Sequence, residues 1–119
     1  MKRDTNLIRA ILLTVEETDE RQGLLNPSFQ RDGENIPANE VTYHIGLLNE
    51  RGLIKAVKLD SGWLIEALTW EGHEFLDAAK NEGVWKRVQK TVNEKGGSLP
   101  FDVVKALAIQ FAREAVGLG

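Results

Sequence analysis

The segment from residue 39 to residue 68 constrains the fold of this 119-residue chain more than any other. Its first part carries apolar residues at helical spacing and ends at Gly52, a residue able to close a helix in the left-handed conformation, which predicts a helix over 39–51. Two strand-like runs, 53–59 and 63–68, follow on either side of a short turn signal. The sequence therefore predicts a helix, a strand, a tight turn and a returning strand in direct succession.

Helical patterns flank this segment on both sides. Apolar residues at helical spacing predict a first helix from Thr5 to about Glu17, and Asp4 is the expected N-cap because its carboxylate can accept from the first free amides. Thr69 is expected to cap a later helix, and Gly83 to break it.

The last part of the chain is typical of a pair of helices. Helical spacing predicts a short helix closed by Gly96-Gly97 and a second helix that begins near Pro100. Residues 84–116 are therefore expected to form a helical hairpin attached to the core.

Composition and length are those of one globular domain. Hydrophobic residues make up 42% of the chain and charged residues 28%, which is typical of a protein that buries a core. We expect a single domain over 1–119, with its core in 1–80 and a helical extension in 81–119. The absence of cysteine excludes disulfides, thiolate catalysis and cysteine-ligated zinc. No apolar run reaches the length of a bilayer span and the charged start does not resemble a signal peptide, so we expect a cytoplasmic protein with no membrane partner.

Charge is distributed unevenly along the chain. The net charge is −3, yet residues 1–77 carry 14 acidic and 8 basic side chains, and residues 78–119 carry 4 acidic and 7 basic. Attraction to a polyanion is therefore expected largely in the C-terminal part, where one run is basic. This run consists of Lys86, Arg87, Lys90 and Lys95. A solvated helix face is the alternative interpretation of the same residues.

No group of residues in the sequence points to catalysis. The serines lack a nucleophile-elbow context, and Gly96-Gly97 is not followed by the lysine of a phosphate-binding loop. His73 and Asp77 are four residues apart on a predicted helix and could form half of a metal site, but the chain offers no matching second pair. We expect neither enzymatic activity nor a bound cofactor.

The stretch from Val41 to Ile54 resembles the recognition helix and following strand of small bacterial winged-helix repressors of the arsenic-repressor type. The resemblance lies in Tyr43-His44-Ile45, in a leucine three positions further on, and in Gly52-Leu53-Ile54. It implies an α+β, mainly helical fold with a winged helix-turn-helix-like core, a two-stranded wing and the C-terminal helical hairpin.

Two features depart from that pattern. Residues 22–35, where the first helix of the motif belongs, are polar and contain Pro27 and Gly33, so we expect a short strand or extended segment near 24–30 rather than a helix. Gly46 stands where such repressors often have a phosphate-contacting lysine.

A longer resemblance links nearly the whole chain to a family of short bacterial and phage proteins known only as a domain of unknown function. Its most specific part is the ten-residue block from Leu68 to Asp77. The other shared segments are Met1-Lys2-Arg3-Asp4, Tyr43-His44-Ile45, Val84-Trp85 and Gly96-Gly97-Ser98. The resemblance implies a bacterial or prophage origin and supports the fold more than any activity.

If the winged-helix resemblance extends to function, the predicted helix 39–51 and the wing would contact DNA through side chains that can donate to bases or phosphates. The candidate DNA-binding residues are Asn39, Thr42, Tyr43, His44, Arg51, Lys55 and Lys58. His44 could instead be a packed, hydrogen-bonded histidine. Trp70 and Trp85 could stack on a base or a partner, but their helical spacing favours core positions.

Two functions are consistent with these residues. The first is a DNA-binding winged-helix regulator of bacterial or phage genes, acting as a homodimer through the apolar helix in residues 100–116. The second is a protein–protein interaction module that keeps the winged scaffold without binding nucleic acid, as the acidic balance, the absent first helix and Gly46 suggest.

Overall fold

Five α-helices contain more than half of the residues described by the computed structural model, which are 1–19 and 21–118. The helices are α1 (Thr5–Glu17), α2 (Ala38–Arg51), α3 (Trp70–Ala79), α4 (Glu82–Glu94) and α5 (Phe101–Ala115). The strands are β1 (Leu24–Leu25), β2 (Gln30–Arg31), β3 (Glu34–Asn35), β4 (Ile54–Leu59) and β5 (Gly62–Leu68). The predicted α+β, mainly helical class is confirmed. The chain divides into two units, Met1–His73 and Glu74–Gly119, which are described in turn.

Helix α1 forms as its sequence predicts. The Asp4 carboxylate accepts hydrogen bonds from the amides of Asn6, at 2.9 Å, and Leu7, at 3.2 Å, and so caps the helix. Its apolar stripe is buried, and the helix packs against α2 and β5. The buried residues are Leu7, Ile8, Ile11, Leu12 and Val15.

A three-stranded antiparallel sheet with the order β1-β5-β4 lies in the first unit. Lys55 is opposite Ala67, but its neighbour Ala56 is opposite Ile65. Glu66 is therefore an extra residue in β5, which is a β-bulge. On a regular strand, residues three positions apart lie on opposite faces. Because of the extra residue, Ile65 and Leu68 lie on the same face, and both are buried.

The polar stretch before α2 contains only short strands in its described residues. Strands β2 and β3 pair around a tight turn in which Asp32 and Gly33 both have positive φ, 54° and 80°, as hairpin turns of two residues require. The extended segment predicted near residues 24–30 is confirmed. A small hairpin therefore lies in the segment before α2, between β1 and the start of that helix.

The turn after α2 connects that helix to the sheet and to α3. Gly52 ends α2 at a φ of 81° in the left-handed region, as expected. The Thr69 amide donates to the Leu53 carbonyl at 3.1 Å, and the Thr69 hydroxyl donates to the Gly52 carbonyl. A Cβ built on Gly72, in the first turn of α3, would overlap the Leu53 carbonyl oxygen. The first turn of α3 therefore lies directly against the turn that follows α2.

The second unit contains α4 and α5, which pack through their apolar faces as expected for residues 84–116. The Phe75 ring meets those of Trp85 and Phe101 at centroid distances of 6.2 and 5.1 Å. The expected break at Gly83 is wrong, because Gly83 lies inside α4. The helix begins one residue earlier, at Glu82, after the Asn81 side chain, which accepts from the Val84 amide at 3.0 Å.

Candidate functional site

The outward face of α2 brings together three of the predicted DNA-binding residues. The buried residues of the helix lie on the opposite side, so helical spacing places Asn39, Thr42 and Tyr43 towards solvent. Tyr43 is 40% exposed, whereas Thr42 is half-buried and its hydroxyl donates to the Asn39 carbonyl at 3.1 Å. Glu50, further along the same face, is also exposed. The face is polar and carries no net positive charge of its own.

Trp63 extends this face from α2 onto the β4–β5 hairpin. A Cβ built on Gly46 would lie 3.6 Å from Cζ2 of Trp63, so the indole rests beside the helix at the position that lacks a side chain. The Lys58 ammonium lies 5.4 Å from the Trp63 ring centroid, within cation–π range. Gly46 therefore allows Trp63 to join α2 and Lys58 into one surface. Trp63 is not among the predicted site residues, although its place in the predicted hairpin opposite Lys58 was a usable signal.

Lys55 lies on the other face of the sheet. Side chains alternate along β4, so Lys58 shares a face with Ala56, and Lys55 shares the opposite face with Val57. The two lysines predicted to act together on the wing are therefore not brought together. Arg51 is exposed in the last turn of α2, about 100° around the helix axis from Glu50.

His44 is buried and has a hydrogen-bond partner at each ring nitrogen. Its exposed fraction is 0%, its Nε2 accepts the Asp4 amide at 2.8 Å, and its Nδ1 lies 2.8 Å from the Glu40 carbonyl. A carbonyl can only accept and an amide can only donate, so these contacts select the neutral tautomer with the proton on Nδ1. This geometry is that of a packed, hydrogen-bonded histidine, the alternative interpretation of His44. A contact between His44 and DNA would require the ring to leave its position.

An ionic network beside His44 fixes the start of α1 against α2. The Arg31 guanidinium contacts the carboxylates of Asp4, at 2.8 Å, and Glu40. The hydrogen bonds and charges of Glu40 and Asp4 raise the pKa of Arg31 above its ordinary value. The guanidinium of Arg31 is therefore already paired with two carboxylates of the protein.

The two tryptophans expected in the core differ in environment. Trp85 is 4% exposed, which confirms its core position. Trp70 is 77% exposed, so the expectation of a core residue is wrong for Trp70. The reason is that α3 contacts the Leu53 carbonyl on the side of the helix where Gly72 lies. Helical spacing places Trp70 on another side of α3, directed away from that contact.

The remaining sites considered from the sequence have other surroundings. His73 Nδ1 lies 4.0 Å from a Glu16 carboxylate oxygen, and among residues 1–19 and 21–118 no cluster of three His, Asp or Glu side chains is suited to a metal ion. In the basic run, Arg87 pairs with Glu114 and lies 3.8 Å from the Phe111 ring centroid. No helix in these residues is long and apolar enough to cross a membrane.

The fold and these surfaces define a small α+β protein with a helix-and-hairpin surface. Comparison with known proteins places it in a family. The chain belongs to the family described as "Hypothetical protein (DUF2513)", whose model matches residues 2–98. It is also similar to a protein of Haemophilus influenzae (strain ATCC 51907 / DSM 11121 / KW20 / Rd) described as uncharacterized, with 38% identity over 113 residues that cover 91% of this chain and 92% of that protein. No solved structure matches the chain. The predicted membership of a family of unknown function is confirmed.

Proposed function

We propose that the first unit is a winged-helix DNA-binding domain of a small bacterial or phage transcriptional regulator. In this proposal α2 is the recognition helix and the β4–β5 hairpin is the wing. The observation that carries it is the single surface formed by the outward face of α2, Trp63 and Lys58.

The topology of the first unit supports the proposal. The chain runs through α1, β1, α2 and the β4–β5 hairpin, and β5 lies between β1 and β4 in the sheet. Apart from the β2–β3 hairpin, a winged helix has these elements in the same order and the same central returning strand. The β2–β3 hairpin is the departure, since it replaces the helix that usually crosses the DNA backbone.

The chemistry of the surface sets an expected strength for the interaction. Asn39 and Tyr43 can hydrogen-bond to base edges or phosphates, and Lys58 and Arg51 supply positive charge. About two phosphate contacts would give a shallow dependence of log K on log salt, with a slope of about −2. Glu50 on the same face opposes close approach of phosphates, so binding is expected to be weak with random DNA and to depend on the polar groups of α2.

A salt titration of duplex binding with paired lysine variants tests the proposal. Fluorescence anisotropy with a random duplex should show binding at low salt that weakens as salt rises. Lys58→Gln should lower the affinity and reduce the slope by about 1, whereas Lys55→Gln, on the opposite face of the same strand, should leave the slope nearly unchanged. Absence of binding at low salt would refute the proposal, and equal effects of the two variants would refute the assigned surface.

The homodimer is a separate part of the proposal. Four apolar residues of α5 are buried in the second unit, so a contact through residues 100–116 would have to use side chains such as Val103 and Ile109, which are 42% and 36% exposed. Sedimentation of wild type and a Val103→Ser/Ile109→Ser variant would test it, with a monomeric wild type as the contradicting result.

A protein–protein interaction module is the second candidate. It is favoured by an apolar row on the outer sheet face, where Leu25, Leu64 and Val57 are adjacent across β1, β5 and β4. Leu25 and Val57 are 54% and 43% exposed. A partner retained by the wild type and lost by Leu25→Ser/Val57→Ser, in a protein that does not bind duplex, would support this candidate over the first.

A further inference from the structure

Trp70 is the most exposed of the large apolar side chains in the part of the chain that the structure describes. The first turn of α3 is already fixed without it, because Thr69 caps the Gly72 amide at 3.1 Å and donates to the Leu53 carbonyl. An indole that is 77% exposed contributes little burial to the fold. Its presence at this position is therefore not explained by packing, and tryptophan is the side chain most enriched in the energetic centres of protein interfaces.

Acidic residues accompany Trp70 on α3. Glu71 is adjacent to Trp70 in the first turn of α3, and helical spacing places Glu74 one turn further along the same face. Both are exposed. Near the end of α1, Glu16 approaches the neighbouring His73. The exposed indole therefore shares the start of α3 with two exposed carboxylates, those of Glu71 and Glu74.

We propose that Trp70 and these carboxylates form a docking site for an arginine-bearing segment of a partner protein. A guanidinium can stack on the indole face while its N–H groups donate to carboxylate oxygens, a combination that an ammonium reproduces less well. Charge complementarity selects this occupant, because phosphates of nucleic acids and anionic lipid headgroups would be repelled by the same carboxylates. The site lies on α3 and shares no residue with the α2–Trp63–Lys58 surface, so it does not depend on DNA binding.

The test uses a short synthetic peptide with three arginines and the 119-residue protein labelled with ¹⁵N. The Trp70 indole N–H resonance, assigned from its disappearance in Trp70→Ala, should shift as the peptide is added. Trp70→Ala should weaken peptide binding about tenfold, the size expected for loss of one desolvated cation–π contact. Glu71→Gln should weaken it several-fold, and a peptide with glutamine in place of arginine should not bind.

The matched control is Glu34→Gln, which removes one exposed carboxylate from β3. It lowers the negative charge of the chain by the same amount as Glu71→Gln, so it should leave the affinity nearly unchanged. An equal loss in both variants would show that attraction is due to net charge alone and would overturn the proposal. An unperturbed Trp70 resonance at millimolar peptide would also overturn it, whatever the result with duplex DNA. Because Trp70 is exposed, its variant should unfold at the wild-type denaturant midpoint, which verifies that a loss of binding is not a loss of fold.

Discussion

Replacement of Gly72 by alanine tests the close approach of α3 to the turn after α2. A Cβ at this position would overlap the Leu53 carbonyl oxygen and lie 3.1 Å from its carbonyl carbon. Ordinary contacts between carbon atoms are about 3.5–4.0 Å long. The obstacle is backbone rather than a flexible side chain, so α3 must move away by roughly 1 Å to restore normal contact distances.

Three contributions set the expected size of the effect. Overpacking against backbone costs about 1–3 kcal/mol. Movement of α3 also weakens the hydrogen bonds that Thr69 makes with the Leu53 and Gly52 carbonyls, which contribute about 1 kcal/mol each. Alanine offsets about 1 kcal/mol because it is the better helix former. We expect Gly72→Ala to lower the free energy of unfolding by about 2–4 kcal/mol.

Urea unfolding monitored by circular dichroism measures this change, and Gly46→Ala provides the control. Gly46 also lies inside a helix of the first unit, but a Cβ there would make only an ordinary 3.6 Å contact with Trp63. Gly46→Ala should therefore stabilise the protein by about 0.5–1 kcal/mol. A Gly72→Ala protein within 0.5 kcal/mol of wild type, about the range of a neutral surface substitution, would refute the close approach. Similar losses in both variants would show that the effect is not specific to the contact with Leu53.

Two further substitutions test contacts that fix the candidate surface. Asn26→Ala removes the hydrogen bond that the side chain donates to the Ser61 carbonyl, at 2.7 Å, and the one that it accepts from the Trp63 amide, at 2.9 Å. We expect the free energy of unfolding to fall by about 1 kcal/mol and hydrogen exchange at the Trp63 amide to become faster. Unchanged exchange at that amide would contradict the role of Asn26 at the turn. His44→Leu leaves the Asp4 amide without its hydrogen-bond acceptor. It should therefore destabilise the protein by about 1–3 kcal/mol in urea unfolding. An unfolding midpoint equal to that of the wild type would show that this hydrogen bond is dispensable.

The elements of the first unit could be predicted from the sequence because their signals are local. Helix α1 has both a stripe of apolar residues and an N-cap, and Gly52 marks the end of α2 with the conformation that glycine favours. The strands on either side of Asp60-Ser61-Gly62 follow from composition and a turn. Each of these features is decided by residues a few positions apart, which is why they agree with the structure.

The surfaces could not be predicted in the same way because they depend on contacts between distant residues. The separation of Lys55 from Lys58 follows from strand alternation, but which face meets α2 depends on Trp63 packing beside Gly46. Helical spacing alone also favoured a core position for Trp70, which is 77% exposed. Its direction follows from the docking of α3 on Leu53, a residue 17 positions earlier in the chain.

The extra residue in β5 has a consequence for comparing related chains of different length. Glu66 has no residue opposite it in β4, so its deletion would join Ala67 to Ile65 in a regular ladder. Ile65 and Leu68 would still face the core, and Leu64 and Ala67 the other side. A relative one residue shorter in this strand can therefore keep every other side chain on its present face, and an alignment that respects the structure places the gap at Glu66.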